Sequence, residues 1–102
     1  SDEAVAIIAN RVASECYGVA EMVSRRLSDS ILSIFNKESA TKGVKLVTVD
    51  NRIFIDLYVL LMADINQEAV VDSFKSTVKY HVEQFTGMRA KAVNVHVLGV
   101  KL

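Results

Sequence analysis

The residues best equipped for chemistry are Cys16, His81, His96 and three aspartates grouped around one predicted hairpin, Asp50, Asp56 and Asp64. A thiol at Cys16 would act as a nucleophile only beside a base, in an exposed electropositive setting. Its place on the apolar stripe of a helix predicts a small buried side chain instead. His81 lies at the edge of another helical stripe and reads as a packed, hydrogen-bonded histidine. His96 shares a strand face with Asn94, and Asp56 can fall on that face too. A His–Asp pair is the minimum for acid–base work, yet no serine, threonine or cysteine accompanies it in an identifiable motif. The chain holds no His-x-x-x-His or Cys-x-x-Cys pair for a metal, and the aspartate spacing fits no calcium loop. Gly18, Gly43, Gly87 and Gly99 are scattered and form no phosphate-cradling loop. The sequence therefore predicts no catalytic residue, no metal and no cofactor.

Composition points away from several further classes. In 102 residues, twelve basic side chains balance twelve acidic ones, so the basic excess typical of a nucleic-acid binder is missing. Charge is uneven locally: bases outnumber acids between Arg25 and Arg52, which reads as a solvated face. No apolar run is long enough to span a bilayer and no signal peptide is visible. One cysteine cannot form an internal bridge. With 51% apolar residues there is material for one core in a single domain over residues 1–102, expected to be cytoplasmic.

The elements that must position these residues follow from periodicity. Val5, Ile8, Val12 and Cys16 recur at helical spacing after Asp2, with Ala9 and Ala13 keeping that face narrow. Beyond Gly18, Val19 to Phe35 continues a helical period into a second stretch, and residues 36–42 read as a loop closing at Gly43. Val44–Val49 alternates weakly, Asp50-Asn51 is a turn signal, and Arg52–Met62 is the longest strand candidate. Asp64 with Gln67 resembles a capping box, with Asn66 a competing cap. The helix that follows carries Val70, Phe74, Val78, His81, Val82 and Phe85, and ends at Gly87. A last strand places Val93, Val95 and Val97 on one face and Ala92, Asn94 and His96 on the other. The order α(α)ββαβ predicts an α+β fold: a small three-stranded sheet with helices on one face.

Alternation divides the long strand into two faces. Ile53, Ile55, Leu57, Val59 and Leu61 should meet the helices. Phe54, Tyr58, Leu60 and Met62 then point outward, beside Leu98 and Val47. A contiguous apolar patch of that kind marks an interface. Phe54, Tyr58, Leu60 and Met62, with His96, are therefore the expected interaction residues, and a second copy of the chain is the expected partner. Cover by the Val19–Phe35 segment is the competing expectation.

Several fragments in order carry a family resemblance. They are Ile7-Ile8-Ala9 leading to Tyr17-Gly18-Val19, then Gly43-Val44, the Asp-containing hairpin and Ile53–Leu61. Ile65 follows, then the helix end Gln84-Phe85-Thr86-Gly87 and the closing run Val93-Asn94-Val95-His96-Val97-Leu98-Gly99-Val100. Over nearly the whole chain this resembles the alkaline-shock-protein, or envelope-stress-response, family of Gram-positive bacteria. The resemblance implies a non-enzymatic cytoplasmic protein that associates with itself, in some members held near the membrane by a separate anchoring protein. It supplies no catalytic residue. Members usually begin with a short Gly-containing strand that has no counterpart before Ser1-Asp2, which suggests a truncated or divergent member. The glycine common after the second hairpin strand is Ala63 here.

Two readings from different classes follow. One is a self-associating scaffold or adaptor of the cell-envelope stress response. The other is a KH-like RNA-binding module, which the element order suggests but the missing Gly-x-x-Gly loop does not support. Neither specific nucleic-acid binding nor direct membrane insertion is expected.

Overall fold

Gly18 decides the first turn of the chain. The computed structural model describes residues 2–23 and 42–102, beginning with helix α1 (Asp2–Glu15). Gly18 follows with φ of 94°, a conformation that side-chain-bearing residues rarely adopt. Even with that freedom the position has no room for more, because a Cβ there would stand 2.6 Å from Val70 Cγ2. The helix stops and the chain leaves as strand β1 (Val19–Met22).

That strand corrects the expected second helix at its start. Val19, Met22 and Val23 fit a helical period, but pairing with an unfilled strand edge outweighs a short local pattern. The remainder of the expected helix, from Ser24 to Phe35, and most of the expected loop lie outside the described residues.

Strand β2 (Val44–Val49) and strand β3 (Arg52–Met62) form the predicted hairpin. Asp50 and Asn51 both take positive φ, 51° and 62°, as a two-residue turn of the type matching strand twist requires. Helix α2 (Gln67–Thr86) then crosses over to strand β4 (Arg89–Lys101). Of the two competing caps Asn66 is the one used: its side chain accepts the Ala69 N–H at 3.0 Å. Gly87 closes the helix, its N–H donating to the Glu83 carbonyl.

Among the described residues four strands make the sheet, where three were expected. Every pairing runs to β3. β4 lies parallel along one side of β3 for its whole length. β1 and β2 lie antiparallel on the other side, β2 from Arg52 to Leu57 and β1 from Val59 to Leu61. Tyr58 marks the hand-over between them: its N–H donates to the Gly43 carbonyl at 2.9 Å and its carbonyl accepts the Val23 N–H at 3.0 Å. The sheet is thus three strands wide, with one side shared by two short strands.

The predicted faces hold. Ile53, Ile55, Leu57, Val59 and Leu61 are at most 1% exposed. They pack against Val5, Ala9, Val12 and Ala13 of α1 and Val70, Phe74, Val78 and Val82 of α2. Burying each large side chain contributes roughly 1.5–3 kcal/mol, so this one layer dominates the favourable side of folding. Two residues assigned to the α2 stripe fall outside it: His81 is exposed, edge-on to Tyr80, and Phe85 is 58% exposed. Val82 already fills the stripe at that turn.

Candidate functional site: the outer face of the sheet

The face of the sheet turned away from the two helices gathers most of the side chains singled out by the sequence. Parallel register between β3 and β4 sets Asp56 opposite Asn94 and Tyr58 opposite His96. Cross-strand neighbours on one face lie close enough for their side chains to meet, and here they do. His96 Nε2 and Asp56 Oδ1 are 2.9 Å apart, and Asn94 Nδ2 donates to the same oxygen at 3.2 Å. An ionised carboxylate only accepts, so Nε2 of His96 carries the proton in this bond. The hydrogen bond from His96 holds the Asp56 carboxyl below the usual carboxylate range. Partial burial opposes this, while Asn94 and the charges of His96 and Lys45 reinforce it. The His96 ring stacks on Tyr58 with centroids 4.7 Å apart and planes 16° apart.

Around this polar centre the face is apolar. Toward the hairpin, Val47 pairs with Phe54 and Val49 with Arg52, and the two valines are 47% and 50% exposed. Toward the other end, Leu60 sits beside Gly99, where a Cβ would come within 3.2 Å of Leu60 Cδ2. Glu21 and Lys101 join across β3 by an ion pair of 3.1 Å. Of the five predicted interaction residues, Met62 and His96 are exposed, Phe54 and Leu60 are half-buried, and Tyr58 is buried. All five belong to one side of the sheet. Sequence reasoning missed Val49 and the Glu21–Lys101 pair, because both need the register of strands far apart in the chain.

The arrangement orients an imidazole on a carboxylate. Among the described residues no hydroxyl or thiol is hydrogen-bonded to His96. Cys16 is on the helix side, lining a cavity of about 460 Å³ with Tyr17, Ile65 and Val70. Burial pushes its thiol up, away from the reactive thiolate. No group of three or more His, Cys, Asp or Glu side chains able to hold a metal ion occurs among the described residues. His81 is on the surface of α2, a different element from the β4 strand that carries His96. No helix among the described residues is long and apolar enough to cross a membrane.

Fold and face together define a small α+β domain whose most developed feature is a mixed polar and apolar sheet surface, not a cleft with reactive groups. The chain belongs to the alkaline shock protein 23 family, described as having a cell envelope-related function, whose model matches residues 1–102. It is similar to the Bacillus subtilis protein YloU, with 31% identity covering all of this chain and 86% of that protein. It is likewise similar to Spy1614 of Streptococcus pyogenes serotype M6, with 30% identity covering all of this chain and 85% of the relative. YqhY of Bacillus subtilis shares 28% identity over 97% of this chain and 73% of its own length. All three are described as uncharacterized proteins. No solved structure matches.

Proposed function

We propose that this chain is a non-enzymatic, self-associating scaffold or adaptor serving the cell envelope, cytoplasmic and brought near the membrane by a partner protein rather than by its own insertion. One observation carries the reading: the outer sheet face presents Val47, Val49 and Met62 in the open, beside half-buried Phe54, with neither described helix over it. Exposed apolar surface of that extent is a liability unless another molecule covers it. A second copy meeting it about a two-fold axis would form an isologous contact, the commonest kind in homo-oligomers. The Asp56–Asn94–His96 network then acts as a polar key in the middle of the contact, fixing its register. The cell-envelope description of the family supports where the assembly works.

Light scattering on the intact chain across a concentration series tests this. Val47→Glu with Met62→Glu changes only exposed positions, so the fold should persist while the assembly falls to monomer. A wild-type chain that stays monomeric at high micromolar concentration would sink the reading. Tight sequence-selective RNA binding by that monomer would favour a KH-like module instead.

A further inference from the structure

We propose that the free edge of β4, together with Lys75, Lys79 and Lys91, receives an extended acidic segment of a partner protein as an added strand. The inference rests on the adaptor reading and names the kind of partner it requires.

Among the described residues β4 pairs with no strand but β3. Its ends are engaged elsewhere, the Ala90 N–H by Glu83 and the Lys101 carbonyl by the Ala63 N–H, and between them the other side of residues 92–97 presents unpaired backbone groups. Its register with β3 runs without a shift from Ala92 to Val97, between irregularities at Lys91 and Leu98. Residues 92–97 are therefore a straight edge of ordinary strand length, a template for strand addition.

A separate observation supplies the charge. Lys75, Ser76 and Lys79 of α2 line a groove of about 160 Å³ with Ala90, Lys91 and Val93 of β4. On the opposite flank of α2, Ala69 and Ser73 line the cavity shared with Cys16 and Tyr17 at the end of α1. The lysine flank is thus the one turned away from α1, beside the β4 edge. Among the described residues none of the three lysines has a hydrogen bond or ion pair. Glu83, one turn beyond Lys79, has its carboxylate on the Ala90 N–H at 2.8 Å.

The spacing suits a strand. Lys75 and Lys79 are four residues apart on a helix, about 6 Å along its axis. Alternate residues of a strand are separated by about 6.6 Å. A segment with acidic residues at every second position would bring successive carboxylates to successive lysines while its backbone pairs with β4. The same charges disfavour a second copy on this edge, because its β4 would bring Arg89, Lys91 and Lys101 against like charges.

The test uses the intact chain and a capped peptide, Thr-Glu-Val-Glu-Val-Glu-Thr, at low ionic strength, followed by backbone amide shifts and hydrogen exchange. Slowed exchange across residues 92–97 is expected, with affinity falling about tenfold in Lys75→Glu/Lys79→Glu and lost when alternate peptide nitrogens are methylated. Lys79 is exposed and Lys75 half-buried, so Lys79→Gln provides a milder variant with an intermediate loss. Equal binding by the methylated peptide would reduce the site to charge attraction and overturn strand addition. So would the absence of any slowing at β4, displacement of the peptide by dilute inorganic phosphate, or protection of β4 that appears without peptide as protein concentration rises. Light scattering on the same samples reports self-association separately, so failure of either reading is recognisable by itself.

Discussion

Tyr58 and His96 lie opposite one another in the parallel register of β3 and β4, their rings stacked at 4.7 Å. The stack turns His96 Nε2 onto Asp56, so one aromatic contact positions the whole polar centre of the outer face. Replacing His96 with Ala removes the stack and the donor together, while Phe keeps a ring and loses the bond. The Ala variant is expected to lose about 1–2 kcal/mol and the Phe variant less, as measured by denaturant midpoints.

The same pair sets a pH dependence. Asp56 sits below the ordinary carboxylate range in the fold and returns to about 3.9 on unfolding. Its contribution to stability is therefore fully present above that unfolded value and is lost as pH falls through the lower folded one. Asp56→Asn should flatten this part of the acid limb in a midpoint-against-pH profile. An unchanged profile would show that Asp56 contributes nothing to acid sensitivity.

Face assignment has a sharper test. Leu57→Asp places an unpaired charge among fully buried neighbours, and a loss of several kcal/mol is expected. Met62→Asp, on the opposite face and 47% exposed, should shift the monomer's stability by less than about 1 kcal/mol. Comparable losses in calorimetry would contradict the two-faced sheet.

Gly18 and Gly87 both take positive φ, but a Cβ would meet Val70 at the first and open space at the second. Gly87→Ala should therefore cost only the backbone conformation, about 1 kcal/mol. Gly18→Ala adds a clash and should cost about 1–3 kcal/mol more. Equal thermal shifts would mean that Val70 yields freely.

Binding to bulk polyanions should be weak. Charge is balanced over the chain, and neither Tyr17 nor Tyr80 is part of a basic stacking platform. Single-stranded oligonucleotides at physiological salt should not bind below micromolar concentration, and anionic vesicles free of protein should not sediment the chain. Retention in either assay would contradict the reliance on a partner protein.

Much of this architecture was legible in alternation and caps. The eleven residues of β3 announce both faces, Asp50-Asn51 announces the hairpin, and Gly87 the end of α2. Residues 19–22 were not legible, because four residues satisfy a helical and an extended period equally well and only the edge of β3 decides. The His96–Asp56 pair could be suspected from strand parity. Its stack with Tyr58 could not, since that needs the parallel register across a crossover helix. The lysine groove was hidden for the same reason: Lys75 and Lys79 join Lys91 only after α2 is laid against β4.

Because each of the other described strands pairs with β3 and with no other described strand, the sheet has a hub. β3 follows β1 and β2 in the chain, yet its entire other side waits for Arg89–Lys101. Pairings that distant in sequence close slowly, since loop entropy is lost before contacts repay it. The growing chain should therefore keep one whole edge of β3 unpaired until β4 is made, even once α1 and α2 lie over Ile55 and Leu57. An open strand edge is a template for wrong pairing, and slow translation through α2 would lengthen its exposure.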